Sequence, residues 1–466
     1  MTGEGSTQRD TYLYQIDPEG RAMSYRKGVV FAAVLLLLPL AFLKAQQSAP
    51  PTEPAPGAIS KLDRERALGI LDNVSKGIQE NYYDPKLNGV DWNAAIANAK
   101  VKIAQANRLN DALAQVAVAV STLNDSHTTF RPPHRPFSLD FGFQYQMIWS
   151  RCFITHVKSG SDAEAKGLKA GQELLTIDGV IPHRQNLWSI EYLNYVLDPR
   201  PEMIVEVQGP LEEKRKLVVE AKVTPEADVA YRPGAGIWYD VIRKDENLEH
   251  LMRMRWVQMG DVVILKFPWF YYDAETFYAL GDKIRRAKAL IVDLRGDPGG
   301  AEQTLIYFVG MFFDKDLKMF DRVQRKKTVP QIAKSEHHIY FPGKLIVLVD
   351  SESASAAELF ARIMQIEKRG TVIGDRSSGL VMEASNFPFF SSGVDYSAEI
   401  TVANLIMADG KSLEHRGVNP DETLFPEPSD LAAGRDPVLA HAVQELGLGL
   451  TPEAAGKLFP YEWPKD

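Results

Sequence analysis

Two strand-to-turn junctions concentrate the groups of this chain that could do chemistry. The first, Asp293-Leu-Arg-Gly-Asp-Pro-Gly-Gly300, ends in tandem glycines, which let backbone approach a ligand and turn N–H groups toward it. The second, Asp350-Ser-Glu-Ser-Ala-Ser-Ala-Ala-Glu358, sets serines among alanines at the start of a helical pattern. A serine there is either a plain N-cap or a nucleophile whose oxyanion is held by N–H groups at the helix N-terminus. Each junction follows an apolar run, Ala289–Leu294 and Lys344–Val349, that reads as a buried strand. In open α/β sheets, active groups collect at such strand ends. No phosphate-binding glycine signature is present: Gly296-Asp-Pro-Gly-Gly300 has neither the dinucleotide spacing nor a P-loop lysine.

Elements able to position these turns can be placed from periodicity. From Ser60 to about Leu123 apolar residues recur at three- and four-residue spacing, with Asp91 an N-cap candidate, so a small helical domain is expected over 60–130. From 137 to 224 the grain changes to short alternating strands. From Val262 onward strand, turn, helix and strand alternate, which predicts a sheet with crossover helices, including helices over Asp273–Lys288 and Ala354–Glu367. The fold class is therefore α/β (α+β) and multidomain, with an α/β core over 236–426 and a helical tail over 427–466.

Length and charge narrow the function. A chain of 466 residues and 45% hydrophobic content can bury several cores, and 53 basic against 61 acidic side chains give a net charge of −8. That field disfavours sequence-independent nucleic-acid binding. The basic cluster Arg322-Val-Gln-Arg-Lys-Lys327 reads as a solvated loop. The single cysteine, Cys152, excludes an internal disulfide, a redox pair and a four-cysteine zinc site; its alternating surroundings suit a small buried side chain. Glu336-His337-His338 lacks the His-Glu-x-x-His spacing of a zinc protease and reads as a surface loop. No metal and no cofactor is expected.

Arg26-Lys27 precede sixteen uncharged residues, Gly28–Leu43. A membrane span wants about twenty, whereas the hydrophobic region of a signal peptide is shorter. Residues 1–45 are thus either a signal peptide, with Met23 a more typical start, or a retained anchor through 28–43. Either way the bulk of the chain is expected outside the cytoplasmic membrane, periplasmic or secreted. Residues 46–59, with Pro50, Pro51, Pro54 and Pro56, read as a linker.

Taken together, these segments resemble the S41 family of serine peptidases, of the C-terminal processing and tricorn-core type. Here "DLRGDPGG" matches the family's "DLRgNpGG", "VLVDSESASAAELFA" its "vLvn…SASAsEi.a", "RGTVIGD" its "ra.viGe" and "GVNPDE" its "GV.PD". The resemblance runs over most of the chain and implies a ClpP/crotonase-like core. It implies Ser355 as the nucleophile, with Ala356 N–H and the Gly299-Gly300 turn as the oxyanion hole. Residues 137–224 resemble a PDZ domain of the bacterial protease type, with Gln172 replacing the common Asp. That implies Phe141-Gly142-Phe143 as a loop holding a peptide carboxylate.

The processing-peptidase branch carries a dyad lysine that falls here on Leu380, which cannot take a proton. The tricorn-like branch instead uses a histidine from "L.dsHt" and a glutamate before "GV.PD". This chain has Leu123-Asn-Asp-Ser-His127-Thr-Thr and Gly410-Lys-Ser-Leu-Glu414-His-Arg-Gly417. The resemblance therefore implies a Ser355–His127–Glu414 triad, with Asp125 closing an Asx turn and neither His415 nor Lys411 in the site. A histidine base predicts activity rising near neutrality. Two functions follow: a serine endopeptidase acting on unfolded or C-terminal segments, or a catalytically silent peptide- or ligand-binding protein. Self-association is left open.

Overall fold

The computed structural model describes residues 14–16, 22–24, 59–210, 212–225, 250–391 and 393–464. Tyr14–Ile16 (β1) and Ala22–Ser24 (β2) pair antiparallel in a unit that stands by itself. The apolar run 28–43, with its signal-or-anchor reading, and linker residues 46–58 lie outside the described residues. No described helix is long and apolar enough to cross a membrane.

Lys61–Asn81 (α1), Trp92–Gln105 (α2) and Leu109–Ser121 (α3) form the N-terminal bundle. The side chains of Ser60 and Asp91 cap the first two, accepting from Asp63 N and Ala94 N at 3.0 Å each. Ala67, Ile70, Leu71, Val74 and Ile78 line the buried stripe of α1, as three- and four-residue spacing requires. This bundle does not close its core alone: Phe130, Tyr396, Ala398 and Ile400 complete it. Thr129–Arg131 (β3) leads out of it.

Phe137–Asp140 (β4), Phe143–Ile148 (β5), Arg151–Val157 (β6), the short helix Asp162–Ala165 (α4), Glu173–Ile177 (β7), Leu187–Glu191 (α5), Glu202–Gln208 (β8), Arg215–Glu220 (β9) and Lys222–Pro225 (β10) follow. Strands β5 to β9 make a five-stranded antiparallel sheet in sequence order, while β4 pairs with β10. Cys152 is buried within it, as its alternating context predicts. Phe141 and Phe143 point into this sheet's apolar core.

The remaining elements are Arg255–Met259 (β11), Val262–Lys266 (β12), Ala274–Ile284 (α6), Ala289–Asp293 (β13), Glu302–Gly310 (α7), Leu317–Gln324 (β14), Thr328–Ala333 (β15), Lys344–Val349 (β16), Ala356–Ile366 (α8), Thr371–Gly374 (β17), Met382–Ser391 (β18), Val394–Met407 (β19), Glu422–Thr423 (β20), Pro428–Ala433 (α9), Pro437–Glu445 (α10) and Pro452–Ala455 (α11). The central sheet runs β11-β12-β13-β16-β17-β20, parallel from β12 onward. Its inner strands β12, β13 and β16 carry buried apolar runs, as strands covered on both faces demand. One face carries α10 through Val438, Leu439, Ala442 and Val443. The other meets α6, α7, α8 and a second sheet, β15-β14-β19-β18. One edge of the long β19 is shared: β14 takes its C-terminal half and β3 its N-terminal half. That pairing delivers the segment before β3 to the core.

Three expectations are corrected. The helix expected from Ala354 starts at Ala356, because Ala354 N–H is spent on Asp297 O and Ser355 has a positive φ. The helix expected over 273–288 stops at Ile284. The basic cluster is not a solvated loop at its start: Arg322 lies on β14 and pairs with Glu383, and Arg325 Nη1 donates to Tyr82 O at 2.8 Å.

Behind the strand ends Phe267, Phe270, Phe277, Phe308, Phe312 and Phe360 interlock, with Phe308 stacked on Phe267 and Phe360 at 4.5 and 4.6 Å. Phe308 is fully buried. Phe308→Ala is expected to cost about 3–5 kcal/mol in urea denaturation; a loss under about 1 kcal/mol would mean this cluster does not anchor the core.

Candidate active site

Four segments converge where β13 and β16 end. The two turns predicted to carry chemistry are stitched together: Ser353 Oγ donates to Leu294 O at 2.9 Å and Ala354 N to Asp297 O at 2.9 Å. Ser355 follows at the entry to α8 with φ +52° and ψ −115°, a conformation that costs a non-glycine residue free energy unless its surroundings fix it. They do. Its N–H is shared between Leu380 O and Glu358 Oε2, both at 3.1 Å.

Gly299, at φ +93°, lies against this turn so closely that a Cβ would stand 2.7 Å from Ser355 Cβ and 2.9 Å from Ala356 N. Only glycine fits. Its own N–H is committed to Asp297 Oδ1 at 2.7 Å. Gly300 N–H and Ala356 N–H, by contrast, are given no acceptor among the described residues.

His127 stands in the turn between α3 and β3. Asp125 Oδ1 accepts from His127 N, Thr128 N and Thr401 Oγ1 at 2.9, 2.8 and 2.6 Å, the Asx turn expected of it, fastened to β19. Ser126 Oγ lies 2.6 Å from His127 Nδ1 and donates to Glu414 Oε2 at 2.7 Å; Ser126 N donates to Glu414 Oε1 at 2.7 Å. A carboxylate accepts only, so the single Ser126 hydroxyl proton goes to Glu414 and its oxygen accepts from Nδ1–H. That tautomer leaves the lone pair on Nε2.

Glu414 also accepts from Val381 N at 2.9 Å. The Leu380 carbonyl and the Val381 N–H belong to one peptide group. It receives the Ser355 N–H on one side and donates to Glu414 on the other, so the three predicted segments meet through it. His415 Nε2 meets Asn124 O at 2.9 Å and stands 3.6 Å from Glu414 Oε1, while Lys411 is exposed.

Burial dominates the electrostatics. It pushes the His127 imidazole down to about 4 against the pull of Asp125, and the Glu414 carboxyl up to about 8 against its three hydrogen bonds and with the charge of Asp125 adding to it. A histidine titrating near neutrality, as the sequence suggests, is therefore not what this pocket holds. Burial likewise pushes Glu358 up to about 7, opposed by hydrogen bonds from Ser377, Leu380, Gly379 and Ser355.

Sequence reasoning missed Ser126, Glu358 and the Leu380–Val381 peptide. Only Glu358 carried a signal: Ser355-x-x-Glu358 has the spacing of a capping box. Of the residues expected to bind a peptide carboxylate, Gly142 lies at φ +70° and its N–H is taken by Asp140 Oδ1 at 2.8 Å, beside a cavity of about 410 Å³ that Asp140, Lys158, Ser161 and Lys222 help to line. Among the described residues no group of His, Cys, Asp and Glu could hold a metal ion.

A mixed sheet with these two turns at its strand ends is an α/β architecture shared with solved structures. Mature CPAF, solved with lactacystin, superposes with a TM-score of 0.60 at 16% identity, over 80% of this chain and 96% of that one. The photosystem II D1 C-terminal processing protease superposes at 0.50 and 18%, over 86% and 100%. Residues 261–424 match peptidase family S41, and the chain carries a domain of that family. The carboxy-terminal processing protease CtpA of Bacillus subtilis is 24% identical over 321 residues, 65% of this chain and 61% of the relative. The tail-specific protease of Haemophilus influenzae is 30% identical over 178 residues, 36% of this chain and 25% of the relative. The chain thus spans about three fifths and one quarter of these two relatives.

Asp297 occupies the place of the family pattern's Asn, is fully buried, and leaves Oδ2 without a partner. Burial pushes its carboxyl well above the carboxylate range. The native state then binds the proton more tightly than the unfolded chain, so stability falls as pH rises above the unfolded pKa near 3.9, until the folded pKa is passed. Asp297→Asn removes that loss. Urea denaturation is expected to find the variant and parent alike near pH 4, with the variant gaining about 1.4 kcal/mol per pH unit above it; a gap that stays constant with pH excludes a buried neutral carboxyl.

Proposed function

We propose that this chain is a serine endopeptidase in which Ser355 Oγ attacks the scissile carbonyl and His127 Nε2 takes its proton, later returning it to the leaving amine. The hydrogen-bonded path from His127 through Ser126, Glu414 and the Leu380–Val381 peptide to Ser355 carries this reading. Glu414, acting through Ser126, holds the imidazole tautomer and stabilises the imidazolium once it forms. Ala356 N–H and Gly300 N–H are the oxyanion donors, since Gly299 N–H is already spent; Gly299 serves by its lack of a side chain. The named relatives support a polypeptide substrate.

We further read residues 137–224 as a PDZ-like unit that captures unfolded chains or C-termini. Strand β5 is at the sheet edge, which suits addition of an extended peptide as a further strand. The Arg26-Lys27 pair and the apolar 28–43 run support export to the periplasm or beyond. A silent binding protein has one feature in its favour, Leu380 at the dyad lysine's place, and the same experiment separates the two.

Purified protein is expected to be labelled covalently by a serine-directed fluorophosphonate, Ser355→Ala not at all, and His127→Ala at a rate lower by on the order of 10²- to 10⁴-fold. Equal labelling of parent and Ser355→Ala excludes the assignment, and no labelling of the parent favours the binding protein.

The active form needs a neutral imidazole and an ionised carboxylate. The imidazole is neutral above about pH 4, so Glu414, held near 8, sets the acidic limb. The kcat/KM for an unfolded substrate is expected to climb with pH toward a plateau above 8. Glu414→Gln should lower it and move that limb down toward the Glu358 carboxyl near 7. A limb that stays near 8 in Glu414→Gln rules out this carboxylate as its source.

A further inference from the structure

Glu358 is a fully buried carboxylate with no cationic partner among the groups that shift it. Four donors surround it. Oε1 accepts from Ser377 Oγ at 2.6 Å and Gly379 N at 2.8 Å; Oε2 accepts from Leu380 N at 2.9 Å and Ser355 N at 3.1 Å. Ser377 Oγ accepts from Val418 N at 2.6 Å, so its own proton is free to go to Glu358. Two donors to each oxygen fill the lone pairs of an ionised carboxylate and leave no place for a proton or an amide NH₂.

We propose that Glu358 is the positioning residue of this site: one carboxylate holds the Ser355 backbone in its unfavourable conformation and fixes the 377–380 loop against it. The proposal rests on the reading of Ser355 as nucleophile. Glu358 is one turn into α8, so its anchor is the helix itself, and it reaches back to the residue that starts that helix. Its contacts with Gly379 N and Leu380 N hold the two peptide groups that lead directly into the one meeting both Ser355 and Glu414. Nothing in the described network lets Glu358 touch a substrate; its effect on the reaction runs through Ser355 and Leu380. The loop it grips is the one in which the processing-peptidase pattern would place a lysine. Here that loop contributes backbone, and backbone has to be held from outside.

The test combines labelling with amide hydrogen exchange in Glu358→Gln, Ser377→Ala and Ser355→Ala. Glu358→Gln turns an NH₂ toward two donors and is expected to slow fluorophosphonate labelling on the order of 100-fold. Ser377→Ala removes one donor of four and should slow it on the order of tenfold, in a protein disturbed less. In both, exchange should quicken in peptides covering 353–358 and 376–382 while the strands β12, β13 and β16 stay protected. Ser355→Ala should abolish labelling and leave that exchange unchanged. Labelling and local exchange at parental levels in Glu358→Gln overturn the positioning role while the nucleophile stands. Exchange that quickens over the whole core makes Glu358 a structural residue only, and overturns it too. A parent that exchanges as described but never labels overturns the nucleophile reading itself, and with it a role in positioning one.

Discussion

A single peptide group, Leu380–Val381, is the constraint on which the site depends. Its carbonyl holds the N–H of a serine in a conformation that costs free energy, and its N–H holds a carboxylate from the segment that follows β19. Peptide planarity makes the two contacts one object: the plane cannot tilt to favour Ser355 without moving away from Glu414. Three stretches distant in sequence, at 127, 355 and 414, are thereby tied with no side chain of residue 380 involved. An aliphatic residue is acceptable there because the position works through its backbone.

The surrounding architecture makes such a device affordable. Parallel strands β13 and β16 end side by side, and their turns exchange hydrogen bonds through Ser353 and Ala354. The aromatic cluster under Phe270 and Phe360 packs the entry of α8 from below. On the other flank, Arg184 pairs with Asp375 and donates to Arg376 O at 2.8 Å, while Trp149 N donates to Asp375 at 2.7 Å. The five-stranded sheet is thus fastened to the turn that leads into the 377–381 loop. Strain at Ser355 is borne by rigid elements on every side.

How much of this was legible in the sequence follows from what kind of information each part needs. The strands under both chemical turns were readable, because apolar runs of five or six residues bounded by glycine have few other uses. The cap Asp91 was readable for the same local reason. The helix start at Ala354 was misplaced because a long-range bond from Ala354 N to Asp297, and a positive φ at Ser355, overrule local propensity. Arg322 was misread because its partners Glu302 and Glu383 come from other elements. Family resemblance pointed to 127, 355 and 414, but gave no hint of what lies between them. Ser126 looked like an ordinary turn residue, and its role exists only once Glu414 arrives from nearly three hundred residues away.

The buried carboxylates complete the logic. Glu358, Glu414 and Asp297 are each shielded from water, and burial alone would neutralise all three. Their donors separate them. Asp297 receives one N–H and keeps an unpartnered oxygen, so little opposes the pull of burial toward its neutral form, an isostere of the asparagine in the family pattern. Glu358 receives four donors, which only the ionised form can accept. Glu414 receives three and has one lone-pair site left, so it lies between the two. Three buried carboxyls thus sit in three different surroundings: Asp297 with one donor beside the Gly299 turn, Glu358 with four beside Ser355, and Glu414 with three beside Ser126.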